Sequence, residues 1–276
     1  MTRQQATGCV VITGSSKGIG FALADAFLSQ GYAVVLSGRQ PEALHTAVQK
    51  LQQRYPTHLL HSCCCDVTVH ADVSALWQTA VERFQSVAIW INNAGTATSS
   101  LAFTELAAHE ITQVIETNVI GSMLGAQVAL QGMRRQGYGQ IFNMQGWGSQ
   151  GEWSHGMTAY CTSKAAIRYF SDALSREARD SQVQIGTLSP GMVATELLVS
   201  SWTQGDPQHW HRMKRLFQFI IDPPEKVATY LAKKIIHNQK AYTHIAWMTP
   251  WRLCLRFFQP YYWRRNPLQG TNLDHF

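Results

Sequence analysis

Short apolar runs alternate with longer amphipathic stretches along most of the chain. The runs at 9–12, 33–37, 59–65, 87–91, 140–144 and 183–188 are too short for buried helices and lack a two-residue polar alternation, so they read as strands covered on both faces. Between them, apolar residues recur at helical spacing over 21–30, over 41–54, from near Ala71, over 105–136 and from Tyr160 onward, closing with a helix to about His237 and a strand at 241–244. Asp222, ahead of Pro223, Pro224 and Glu225, reads as the N-cap of that helix. Strands that alternate with helices predict an α/β fold with a doubly wound parallel sheet.

Composition narrows the class. Of 276 residues, 45% are hydrophobic and 14% charged, which suits one packed core and excludes a disordered chain. The net charge of +6 suits an anionic cofactor or an anionic membrane surface, and without a long basic run it gives no sign of nucleic-acid binding. Cys63, Cys64 and Cys65 are adjacent, and no cysteine–histidine array has zinc spacing, so reduced thiols and no metal are expected. The polar stretch from Met1 to Gly8 lacks the apolar segment of a signal peptide, which points to the cytoplasm.

Chemistry collects at the strand ends. After the first strand, Thr13-Gly14-Ser15-Ser16-Lys17-Gly18-Ile19-Gly20 leads into a helix, and that order aims backbone amides and a helix N-terminus at one point, a site for pyrophosphate. The second strand ends at Gly38-Arg39 with no acid there; Arg39, with Lys17, suits the 2′-phosphate of NADP(H). Asp66, followed by Val67, either accepts from an adenine amino group or caps the next helix. Asn92-Asn93-Ala94-Gly95 brings small residues and amides to the end of the fourth strand. Tyr160 and Lys164, four apart on a helix, share a face, where the ammonium would lower the phenol's pKa toward working pH and fit it for proton transfer.

Together Thr13-Gly14-x-x-x-Gly18-x-Gly20, Asn92-Asn93-Ala94-Gly95, Tyr160-x-x-x-Lys164 and Pro190-Gly191 resemble the classical short-chain dehydrogenase/reductase family over residues 8–195. The resemblance implies a Rossmann-like sheet of about seven strands in a single domain (1–244), a nicotinamide cofactor, and a homodimer or homotetramer built through the two long helices before and at the tyrosine. It places Gly14, Ser16, Lys17, Gly18, Ile19 and Gly20 on the pyrophosphate, Asp66 and Val67 near adenine, and Asn93, Ala94 and Gly95 beside the adenosine ribose. It also sets Pro190, Gly191, Val193 and Thr195 against the nicotinamide, gives Lys164 a second task on the cofactor ribose, and gives Asn118 a water that links Lys164 to solvent. The family's substrate-binding serine is replaced by Gly146, so either the polarising hydroxyl is missing or the glycine-rich loop folds so that Ser149 supplies it. The string Ile141-Phe142-Asn143-Met144-x-Gly146-x-Gly148-Ser149 is similar to the chlorophyll b reductase-like branch, whose members reduce a formyl group on a chlorin to hydroxymethyl.

By the same resemblance, residues 196–221 form the substrate lid. It carries Trp202, Trp210, Leu216, Phe217 and Phe219, either exposed to a large apolar substrate or buried in the lid itself. The tail at 245–276 is different. Within 245–268 it combines Trp247, Trp251, Phe257, Phe258, Tyr261, Tyr262 and Trp263 with Arg252, Arg256, Arg264 and Arg265 and holds no acid. It reads either as a short interfacial helix with its arginines toward anionic lipid, a peripheral membrane contact, or as a helix packed on the domain or a partner subunit. The expected activity is NADP(H)-dependent reduction of a carbonyl, or oxidation of the alcohol, on a large apolar substrate. A steroid, retinoid or acyl carbonyl, and a non-catalytic dinucleotide-binding redox sensor, are the alternatives.

Overall fold

The computed structural model describes residues 8–198 and 217–266. In chain order these form β1 (Cys9–Ile12), α1 (Gly18–Leu28), β2 (Val34–Gly38), α2 (Pro41–Gln52), β3 (Leu60–Cys64), α3 (His70–Phe84), β4 (Val87–Asn92), α4 (Ala108–Ile115), α5 (Gly121–Gln136), β5 (Gly139–Met144), α6 (Thr158–Glu177) and β6 (Val183–Ser189). There follow β7 (Met192–Val193), β8 (Ile221–Asp222), α7 (Pro224–Ile236), β9 (Tyr242–Ala246), α8 (Pro250–Phe257) and α9 (Pro260–Arg264). Seven strands make one sheet in the order β3-β2-β1-β4-β5-β6-β9, every pair parallel. The expected seven-stranded, doubly wound sheet is present.

Strand alternation builds two cores. Val10 and Ile12 of β1 face α1, α2 and α7 through Leu23, Phe27, Leu51 and Leu231, while Cys9 and Val11 face α3 and α5 through Trp77, Ala129 and Met133. Because β2 and β4 flank β1 on opposite sides, the strand order reverses there, and a crevice opens at the carboxyl ends of β1 and β4.

Three elements differ from expectation. The long helix at 105–136 is α4 and α5 joined by a π-helical turn, Glu116–Ile120, which contains Asn118. Asp222 is not a helix cap: α7 starts at Pro224 behind Pro223, and the Asp222 carboxylate is buried between Arg256 and Arg265. A local Asp-Pro-Pro-Glu pattern cannot register partners that far along the chain. The last strand runs to Ala246 and closes the sheet beside β6.

The tail packs on its own domain. Arg256 and Arg265, expected to face lipid in the interfacial reading, instead point inward at Asp222. Of the aromatic residues in the stretch expected to form the lid, Phe217 and Phe219 are buried; Trp202, Trp210 and Leu216 lie outside the described residues. Among the described residues, no helix is long and apolar enough to cross a membrane.

Candidate active site

The crevice is built from the ends of β1, β2, β4 and β5. Beyond β1, Gly14 and Gly18 take left-handed backbone angles (φ +61° and +60°), and α1 begins without a side-chain cap on its first amides. The turn is closed from β4: Thr13 Oγ1 accepts the Asn93 and Ala94 amides at 3.0 Å each, and Asn93 Nδ2 donates to the Thr13 and Gly14 carbonyls. A side-chain carbon at Gly20 would lie 2.5 Å from the Gly14 carbonyl oxygen, so only glycine fits. This glycine cradle, the uncapped helix start and the buried Asn93 Oδ1, which has no hydrogen-bond partner among the described residues, fit a dinucleotide. Thr13 was absent from the sequence-derived set, although its place ahead of Gly14 is the signal that could have found it.

The groups meant to read the adenosine end are partly engaged. Arg39 is half exposed, with Nη1 4.0 Å from Asp66 Oδ2. Asp66 Oδ1 accepts the Thr68 amide and hydroxyl, so it closes a turn ahead of α3; the position that caps α3 is Val69. Burial pushes the Asp66 carboxyl up, but those bonds and Arg39 outweigh it and hold the pKa below the ordinary value. Val67 is buried against α5 at Gly121. Lys17 is paired with Glu196 at 2.5 Å, across the glycine turn, and is not at the end of β2. Thr195 lies against Gly18, and Val193 is buried in β7, which pairs with β8. Gly191 (φ +68°) turns the chain beside Met248, after the buried Pro190.

Tyr160 and Lys164 sit on one face of α6, with Lys164 Nζ 5.7 Å from the centre of the Tyr160 ring and 3.3 Å from the Met144 carbonyl at the end of β5. Lys164 is 6% exposed, and burial lowers its pKa to about 8. Burial drives the Tyr160 phenol well above its ordinary value, with a smaller rise from the Cys161 thiol beside it, which corrects the expected lowering. At neutral pH the pair is therefore a neutral phenol beside an ammonium.

Gly146 explains how the tyrosine fits. A side-chain carbon there would lie 2.4 Å from Tyr160 Oη, so the phenol tip occupies the space a serine would need. Ser149 is buried one turn on, its amide donating to the Gly146 carbonyl at 3.2 Å; among the described residues no hydrogen bond joins its hydroxyl to Tyr160 or Lys164. The loop is braced by the Glu152 carboxylate, which accepts the Gly148 and Gln150 amides.

Asn118 ties the site together. Its Nδ2 donates to the Thr96 carbonyl and to Ser163 Oγ on α6, while Oδ1 accepts the Thr96 amide at 2.8 Å. A side-chain carbon at Gly95 would stand 3.2 Å from Asn118 Oδ1 and 3.7 Å from Lys164 Nζ, so glycine keeps a gap between amide and ammonium. Below it, Asn92 bridges the Ser122 carbonyl and Asn143, and Asn143 reaches Ser171, a buried polar chain joining β4, β5, α5 and α6. The role of Asn143 and Ser171 was not foreseen, because their partners lie on separate elements.

Comparison with known proteins agrees with this geometry. The short chain dehydrogenase family model matches residues 8–206. The chain is 34% identical over 262 residues to a probable chlorophyll(ide) b reductase NYC1, chloroplastic, of Oryza sativa subsp. japonica, covering 89% of this chain and 51% of that protein. It is 36% identical over 231 residues to the chlorophyll(ide) b reductase NOL, chloroplastic, of Arabidopsis thaliana, covering 82% and 64%. The chain thus spans only about half to two-thirds of the length of these relatives. An actinorhodin polyketide ketoreductase solved with NADPH superposes with a TM-score of 0.77 at 25% identity, over 89% of this chain and 97% of that one. A cradle on β1, a Tyr–Lys pair on α6 and a sequence that matches over residues 8–206 leave one conclusion: this chain belongs to the short chain dehydrogenase family, with the chlorophyll(ide) b reductases among its relatives.

Proposed function

We propose that the chain is an NADP(H)-dependent reductase of a carbonyl on a large apolar molecule, and that a formyl group on a chlorin ring is its substrate class. The observation that carries this reading is the state of the Tyr160–Lys164 pair. A carbonyl oxygen that gains electrons needs a proton, and burial keeps the Tyr160 phenol protonated to supply it. Lys164, charged below about pH 8, offsets the phenolate left behind. A bound nicotinamide supplies the hydride. The gap between Asn118 and Lys164 is the place for a water that returns the proton from solvent. Lys164 would also hold the cofactor ribose.

Ser149 is the proposed donor to the substrate oxygen, since the hydrogen bond from its backbone N–H to the Gly146 carbonyl holds it close to the residue that abuts the Tyr160 tip. Arg39 supports NADP(H), being the half-exposed cation at the end of β2. The formyl-chlorin class rests on the two chlorophyll(ide) b reductases, which share the chain at 34% and 36% identity. Exposed Met123 and Tyr169 on α5 and α6 support a homodimer or homotetramer through those helices.

The test is NADPH oxidation with a formyl-chlorin, alongside steroid and long-chain aldehydes. The wild type turns over the chlorin, and Tyr160→Phe loses at least about a hundredfold in kcat. Full turnover by the phenylalanine protein removes the assignment, and turnover of every aldehyde except the chlorin removes the substrate class alone.

A further inference from the structure

The tail is turned inside out relative to an ordinary surface helix. Arg256 is 3% exposed, with Nη2 2.5 Å from Asp222 Oδ2 and Nη1 2.6 Å from the Phe219 carbonyl. Arg265 places Nη1 3.1 Å from Asp222 Oδ1 and Nη2 2.6 Å from the Ile221 carbonyl, and the guanidinium groups of Arg256 and Arg265 stand over the Tyr262 ring at 4.8 and 4.4 Å. Trp247 Nε1 completes the clasp by donating to Asp222 at 2.7 Å. Arg256 of α8 and Arg265 just after α9 thus face the protein, while apolar side chains face out: Trp251 is 72% exposed, Phe258 80%, Tyr261 65%, Trp263 59% and Leu255 43%.

We propose that this outer face is a docking surface for an anionic lipid bilayer. A set of aromatic side chains held outward by a buried ion pair cannot relax into the core, so among the described residues nothing covers it. The charges around it select the occupant. No acid occurs between 245 and 266; Arg264 is exposed, while Arg252 of α8 and Lys226 and Lys234 of α7 stand over the Trp247 and Tyr230 rings. A second copy docked by two-fold symmetry would set this cationic rim against itself. Lipid phosphates complement it, and Trp and Tyr rings suit the depth of the headgroups. Both helices are short, so the hairpin lies on the surface and does not span it. The surface stands apart from the redox reading and holds whatever the substrate proves to be.

The test uses the full chain sedimented with vesicles of phosphatidylcholine, with and without phosphatidylglycerol. The wild type binds the anionic vesicles, and added salt releases it. The double variant Trp251→Ala/Phe258→Ala, altered only at exposed positions and checked by circular dichroism, binds about tenfold more weakly or worse. Arg264→Glu weakens binding to anionic vesicles and leaves any binding to neutral ones unchanged. A wild type that stays in the supernatant, or a double variant that binds like it, overturns the proposal. So does a wild-type oligomer that the double variant dissociates, which would give the face to a second copy.

Discussion

At the scale of single residues, the contact between Gly146 and Tyr160 decides how the catalytic loop is read. Restoring the family's serine would ordinarily be expected to help a reductase. Here its first side-chain carbon would stand 2.4 Å from Tyr160 Oη, and displacing the phenol tip by about 1 Å costs on the order of a hundredfold in rate. Gly146→Ser is therefore expected to lower kcat by about that factor while NADPH still binds; an equal or faster variant would show that the loop yields. Lys164 allows a second check. Its pKa falls from 10.5 to about 8 on folding, so below pH 8 the folded protein carries a buried ammonium that the unfolded chain hydrates freely, at a cost of ~3 kcal/mol. Between about pH 8 and 10.5 the unfolded chain binds the extra proton, so this cost shrinks as pH rises. Lys164→Met should therefore melt above the wild type at pH 7, the gap closing toward pH 10.5. A gap that stays constant with pH would mean that the ammonium is solvated in the fold. The residues themselves were legible in the sequence, because Tyr-x-x-x-Lys and the glycine spacing are local. The direction of the Tyr160 shift was not, since desolvation depends on what Gly146 and α6 pack around it.

At the scale of elements, local pattern and distant partner compete for the same residues. The π-helical turn that holds Asn118 did not follow from apolar periodicity, while the strand and helix positions did. Asp222 shows the opposite case. Beside Pro223, Pro224 and Glu225 it has the look of a cap, yet its partners Arg256 and Arg265 lie 34 and 43 residues further on, and no local rule reaches them. The pairing joins three segments: β8, the stretch just before it through the Phe219 carbonyl, and the tail. Replacing Asp222 by Ala leaves two guanidinium groups without their carboxylate, one of them 3% exposed, and is expected to cost about 3–5 kcal/mol. The melting temperature should fall and proteolysis should cut first within 245–266. An Asp222→Ala protein as stable and as resistant as the wild type would show that aromatic packing, with Phe219 stacked on Phe257 at 4.6 Å, suffices to hold the tail.

At the scale of the whole molecule, strand order turns these local features into one site. The crevice exists because β1 has β2 on one side and β4 on the other, so the glycine turn, Arg39 and the Asn93–Gly95 segment arrive at one edge of the sheet from three separate stretches of chain. A ligand that lies across that edge ties the stretches together and adds RT ln(1 + [L]/Kd) to stability, about 2.7 kcal/mol at a hundredfold excess over Kd. Cofactor choice is thereby readable as a shift in melting temperature, with no substrate needed. NADPH should stabilise the wild type more than NADH at equal concentration. Arg39→Asp should abolish that difference by weakening NADPH about tenfold or more while leaving NADH equal or tighter, since an acid there suits ribose hydroxyls and repels a phosphate. Lys17, already paired with Glu196, should matter less: Lys17→Ala is expected to keep most of the preference. If Lys17→Ala erases the preference and Arg39→Asp does not, the 2′-phosphate is read from the glycine turn, and the Lys17–Glu196 pair must open for the cofactor to enter.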